Sequence, residues 1–376
     1  MAELTEQTAI HKSPLDETHE RLGATMREGV PASYGDAAAE YAAVREGGAG
    51  LSDLSARGRI EVSGSEAVQF LNGLITNDVK ALAEGAWMQA AFPNVQGRLV
   101  ASARVLRLSQ DRFLFDTEAA TRERVLKTLE RFTLAGDFRV RDMTNETALV
   151  TVQGARSADV VGAAVGSDAA RLARGLVHTL DQWDGQPLYI IRATHTAEDG
   201  FDLIVGAAGA ASLWSALTNA GARPVGTDAL DVLRVEAGVP RYGVDMDETN
   251  VVLEAVPDDA LSFTKGCYVG QEIIARIHWR GHVAKRLAGL TFDERAEVRP
   301  GDKVTTADGQ TIGRLTSVTF SPSLKRTIAL GYVKYDYLAP DTEVRVPGAD
   351  GAQTAARVAS LPFVRGSWSD AAEAGA

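Results

Sequence analysis

"FTKGCYVGQEIIARIHWRGHVAKR", Phe263 to Arg286, divides the chain into two kinds of sequence. Before it, strand-like and helix-like segments mix without a strict βαβ rhythm. After it, short apolar runs are broken by "RPGD", "ADGQ", "SPSLK", "APD" and "PGADG", which reads as a small β-barrel or sandwich. The boundary therefore falls near residue 285. Within the stretch, Cys267 stands between Gly266 and Gly270 and is the single cysteine of the chain. Two glycines so close imply a tight loop with positive φ or a close backbone approach. "QEIIARIHWR" has helical spacing through Ile273, Ile277 and Arg280. A helix starting at or just after Gly270 places Cys267 near its N-terminus, with Lys265 two positions before the thiol. Both features stabilise a thiolate. The residues alone leave Cys267 open as a nucleophile, a metal ligand, a redox handle or a small packed apolar residue.

The same stretch is locally cationic. Lys265, Arg276, Arg280, Lys285 and Arg286 face only Glu272 as an acid between residues 260 and 292. Exposed helices normally mix signs, so an anionic ligand or tail met by Arg forks explains the run better than a solvated face. His278 and His282 share one helix face and with Cys267 give C-x10-H-x3-H. Gly281 weakens the helix there and no fourth ligand is evident, so no metal site is assigned. No phosphate-cradling glycine loop occurs, and Ser, His and Asp are too scattered for a triad.

Composition narrows the classes. The chain has 376 residues, 45% hydrophobic and 24% charged, with a formal net charge of −11. This suits two or three soluble domains and argues against nucleic acid as the main partner. One cysteine excludes an intramolecular disulfide framework, a Cys-rich zinc module, and a cluster held by this chain alone. No apolar signal segment and no 18-residue apolar run is present, so no membrane span and a cytoplasmic location are expected.

Upstream, residues 1–33 read as a loose leader with room for one short helix, and 366–376 as a frayed tail. "AWMQAAFP" and "LVASARVLRL" read as strands flanking the turn "NVQG", and "FLFD" extends the pattern. "TRERVLKTLERFTL" reads as an amphipathic helix through Val125, Leu129 and Phe132. "PLYIIRAT" and "FDLIVG" are a second strand pair. An α+β body of two related lobes over 34–284, followed by a barrel over 285–365, is expected. In "GTDALDVLRVEAGVPRYG", Glu236 sits beside the apolar stripe of Leu230, Leu233 and Ala237. Either it is ion-paired with an arginine such as Arg234 or Arg241, or it is a buried acid for the N–H donors of a heterocycle.

"KGCYVGQE" followed by Ala275-Arg276 resembles the signature of the YgfZ family of folate-binding proteins, which act in iron–sulfur cluster assembly or repair. "GLSDLSARGRIEVSGSEAVQFLNGLITNDVKALAEG" and "RVEAGVPRYGVDMDE" resemble regions that this family shares with the glycine-cleavage T-protein. "IGRLTSVTFSPSLKRTIALGYVK" resembles their C-terminal barrel. The resemblance implies a three-lobed ring around tetrahydrofolate or a one-carbon or polyglutamate derivative of it. It also implies iron–sulfur client or assembly proteins as partners and a monomeric state. On it, Glu236 is the pterin acid and Cys267 is the exposed reactive thiol near the channel. Lys265, Tyr268 and Gln271 belong to the binding loop, and Arg276 faces the glutamate end of folate or a partner. T-proteins carry an Asp pair after the glycine turn. Here Ala101 and Ser102 stand there, and a methyl and a hydroxyl cannot act as a carboxylate base. Glycine-cleavage aminomethyl transfer is therefore the alternative reading, and a plain scaffold is a second one.

Overall fold

The computed structural model describes residues 12–134, 136–347 and 353–369. The first lobe is a five-stranded antiparallel sheet. Its order is Ala86–Pro93, Leu99–Ser109, Arg112–Thr117, Gly58–Ser63 and Arg139–Asp142. Side chains alternate across such a sheet. On one face Ala101, Ala103, Val105, Phe113 and Phe115 pack under the helices Ala67–Leu74 and Arg122–Glu130, which contribute Leu71, Val125 and Leu129.

The second lobe repeats the plan. Its sheet runs Val177–Trp183, Gln186–Arg192, Gly200–Gly206, Thr147–Gln153, Gly50–Asp53 and Arg223–Pro224, and only the last pair is parallel. Phe201, Leu203 and Val205 pack under the helices Ser157–Val165 and Ala210–Asn219, through Val161, Leu213 and Trp214. The opposite faces of the two sheets meet through Leu106, Leu114, Leu149, Val177, Ile191 and Ile204. Each sheet is thus covered on both sides. This is why strands such as "FDLIVG" are almost wholly apolar, with no simple polar face.

The third lobe is a closed six-stranded barrel that begins at strand Lys285–Phe292. Leu290, Phe292, Val304, Leu315, Val344 and Val358 fill it. The α+β architecture with two lobes and a terminal barrel is therefore the fold of the chain. No helix among the described residues is long and apolar enough to cross a membrane.

Two expectations need correction. Within residues 12–33, expected as part of a loose leader, Leu15, Thr18 and His19 are buried and Leu15 joins the second-lobe core, while Thr25–Arg27 stay exposed. The short helix Asp16–Arg21 buries His19, whose Nε2 lies 3.0 Å from Asp53 and whose ring meets Trp214 edge-on. Six helical residues are too few to show an apolar period, so the sequence allowed a short helix here but did not show that it packs. Residues 1–11 lie outside the described part. At the other end, Ser367 donates to Glu198 and Arg174 stacks over Trp368 at 4.0 Å, which ties down the start of the expected tail. Residues 370–376 are again outside.

Candidate functional site

The cysteine loop is built onto the first lobe. The helix Gln271–Arg280 starts after Gly270, which is left-handed at φ 76°. A Cβ at Gly270 would stand 2.3 Å from the backbone oxygen of Asn94. Glycine is required there because the loop lies directly on the Asn94–Gly97 turn. Lys265 is buried, and its Nζ donates 2.7 Å bonds to the carbonyls of Ile75 and Asn77, at the end of helix Ala67–Leu74. A cation at a helix C-terminus is held by the exposed carbonyls and the helix dipole. Burial lowers the Lys265 ammonium to about 8.

Cys267 is exposed, but it is not on the wall of the central cavity. Tyr268 is buried against Tyr242, Leu261 and Ile274, and burial pushes its phenol up to about 12. Gln271 is half-buried and Arg276 exposed, and neither lines the cavity. Lys265, Tyr268, Gln271 and Arg276 are therefore not brought together around an enclosed ligand. The physical reason is that the loop turns inward to staple the first lobe, leaving its thiol and the outer helix face to solvent. Arg286 alone of the five cations reaches the cavity wall, where it pairs with Asp258 at 2.7 Å. His278 stacks on Phe263 and His282 on Tyr335. The described residues contain no His, Cys, Asp and Glu grouping able to hold a metal.

Glu236 is also placed differently from the pterin-acid expectation. Its side chain is fully buried at the end of helix Thr227–Glu236 and lies off the cavity wall. It accepts from the Tyr41 hydroxyl at 2.9 Å, Arg45 at 2.9 Å and Ser321 at 2.5 Å. Its partner is Arg45, bridged onward to Glu198, rather than Arg234 or Arg241. Arg234 instead pairs with Asp245. The acid joins the barrel to the second lobe, and its acceptor sites are already in use.

The three lobes line a partly open cavity of about 630 Å³. The strand alternation that sends Ala101 into the first-lobe core turns Ser102 and Arg104 toward this cavity. Only Ser102 of the pair thus meets a ligand space. Arg104 lies between two buried carboxylates, 2.8 Å from Asp116 and 2.6 Å from Asp202. Arg57 extends the chain to Asp116 and Glu118. Asp202 also accepts from His195 Nε2 at 2.9 Å, and His195 is on the wall. Burial disfavours the charged Asp202 carboxylate, but His195 and Arg104 outweigh it and hold the group well below the ordinary range. Asp116 is held low in the same way: burial opposes, while Arg57 and Arg104 prevail. Trp87 Nε1 and Arg104 Nε are buried and have no partner.

This network was absent from the sequence reading. Its signal is nonetheless present: Arg104 in "LVASARVLRL", Asp116 in "FLFD" and Asp202 in "FDLIVG" are charges inside apolar strands. A charge buried that way must be paired. Arg104 and Asp116 face each other across one strand pair, but Asp202 comes from the other lobe, so only the tertiary structure brings the three together.

The chain is similar to known proteins over nearly its whole length. The GCVT N-terminal domain matches residues 15–265, and the glycine cleavage T-protein C-terminal barrel domain matches 285–365. The chain is 33% identical to the aminomethyltransferase of Thermotoga neapolitana, over 95% of this chain and 99% of that protein. It is 35% identical to that of Rubrobacter xylanophilus, over 95% of each chain. The crystal structure of the glycine cleavage system aminomethyltransferase T from Bartonella henselae superposes with a TM-score of 0.86 at 27% identity, covering 95% of this chain and 99% of that one. With both domains matched in order and nearly the whole length shared, the chain belongs to the glycine-cleavage T-protein family.

Proposed function

We propose that the chain binds tetrahydrofolate, free or carrying a one-carbon unit, in the central cavity and takes part there in one-carbon transfer with a small amine. The observation that carries this is the cavity walled by all three lobes, in a chain similar over 95% of its length to aminomethyltransferases. At about 630 Å³ the space suits a ligand of this size. Its wall offers flat and apolar surface from Trp87, Met246 and Leu287, with Arg286 and Asp258 as polar groups. Bound tetrahydrofolate supplies amine nitrogens that accept the one-carbon unit. The protein's part is to hold it away from bulk water and to manage a proton, without the carboxylate at position 102. Calorimetric titration with tetrahydrofolate and reconstituted glycine cleavage test this. Binding with turnover is expected, and no binding at micromolar ligand counts against every folate reading.

A second reading is favoured by one observation. Cys267 is exposed in the "KGCYVGQE" loop, with Arg276 and Arg280 exposed on the helix that follows. This fits a folate-binding factor of the YgfZ kind serving iron–sulfur client proteins. One thiol cannot hold a cluster, so any cluster would be shared with the partner. A Cys267→Ser variant in cells lacking their own copy tests it: lost iron–sulfur enzyme activity supports the reading, and full restoration makes the thiol dispensable.

A further inference from the structure

The ionisable groups on the cavity wall are almost all committed. From the first lobe, Arg57 is paired with Asp116 and Glu118, and Arg104 is paired with Asp116 and Asp202. From the opposite wall, Arg286 is paired with Asp258. Glu254 accepts from Asn250 Nδ2 and the Val251 amide. Carboxylates held by arginines are poor bases at neutral pH. Glu254 and His195 are the wall groups that no arginine holds, and of the two the imidazole is the side chain suited to exchanging a proton in either direction.

Its geometry selects one atom. The His195 amide donates to Gln153 Oε1 at 2.9 Å, which fixes the backbone. Nε2 lies 3.0 and 2.9 Å from the two Asp202 oxygens. An ionised carboxylate only accepts, so Nε2 carries the hydrogen. In the neutral ring the lone pair is then on Nδ1. Among the described residues Nδ1 has no hydrogen-bond partner, and it is not one of the buried unpartnered atoms. The side chain keeps 22% of its surface while Asp202 has none, so the exposed ring edge is the one turned from the carboxylate. Arg104 also fastens Asp202 from the other lobe at 2.6 Å, so the dyad cannot rotate freely.

We propose that His195 is the acid–base group of this cavity, with Nδ1 as the proton-exchanging atom and Asp202 and Arg104 as positioning residues, acting on an amine ligand. In the step, Nδ1 takes a proton from the ammonium form of the ligand amine: the N–H bond breaks, its electron pair becomes the lone pair of the neutral amine, a new bond forms to Nδ1, and Asp202 offsets the imidazolium charge that the ring takes over from the ligand. The reverse step returns the proton. This assigns to another strand of the cavity the proton handling that Ser102 cannot perform. It rests on the amine-ligand reading above.

The test uses the whole chain and His195→Gln, whose amide can still donate to Asp202. In the free wild-type protein, nitrogen-15 resonances at mildly alkaline pH should show His195 protonated at Nε2 and bare at Nδ1. The opposite tautomer overturns the proposal. Tetrahydrofolate is then titrated in two buffers of different ionisation enthalpy. Wild type should exchange protons on binding, the variant should not, and the affinities should differ by less than about tenfold, one decade of Kd. Retained binding with the same proton exchange in both proteins overturns the assignment of His195 alone. Failure of both proteins to bind overturns the ligand reading, and this amine-directed role with it.

Discussion

Replacing Glu236 separates a structural acid from a ligand-binding one. The carboxylate is fully buried and accepts from Tyr41, Arg45 and Ser321, which belong to the segment before the first lobe and to the barrel. Glu236→Ala removes three acceptor contacts and leaves Arg45, itself nearly buried, with Glu198 as its carboxylate partner. Leaving part of a buried charge uncompensated costs about 3–5 kcal/mol. Glu236→Gln keeps the shape and some hydrogen bonds, so a smaller loss of about 1–3 kcal/mol is expected, the cost typical of buried polar groups left partly unsatisfied. The chain has several lobes, so denaturant unfolding followed by tryptophan fluorescence is paired with proteolysis of the C-terminal segment. Phe363 and Val364 donate their amides to the Glu236 backbone carbonyl, so that segment should loosen early. Tetrahydrofolate affinity of the folded variants should stay within about threefold of wild type, under ~0.7 kcal/mol. Normal stability together with a loss of binding of tenfold or more would refute the reasoning and return Glu236 to the role of a pterin acid.

Three further outcomes follow from the packing. Asp116 and Asp202 are held below the usual carboxylate range, so their pairing stabilises the protein above the unfolded pKa near 4 and is lost as pH falls through the lower folded values. An acid titration of unfolding should show falling stability below about pH 4, and Asp202→Asn should be less stable at neutral pH with a shallower acid slope; an unchanged slope contradicts the network. Gly270→Ala puts a Cβ against the Asn94 carbonyl at positive φ and should cost upwards of about 2 kcal/mol in denaturant unfolding; a neutral effect contradicts the close approach. Cys267 is exposed, so thiol labelling of the folded protein should reach one equivalent without denaturant; protection until unfolding contradicts its placement.

Local rules already made much of this protein legible. Strand alternation in "AWMQAAFP" and "LVASARVLRL", helical spacing in "TRERVLKTLERFTL" and glycine punctuation around Cys267 depend on neighbours within a few residues. The lobes, the barrel beginning near residue 285 and the glycine-hinged turn of the loop could thus be read without coordinates, whereas the exposure of its thiol could not. The site could not. Glu236 meets Tyr41 across 195 positions and Lys265 meets Ile75 across 190. Arg104, Asp116, His195 and Asp202 converge only because two sheets press their inner faces together. Sequence determined which strands carried a buried charge. Tertiary structure decided which charges were matched, because a pairing in a low-dielectric interior depends on distance in space and not on distance along the chain.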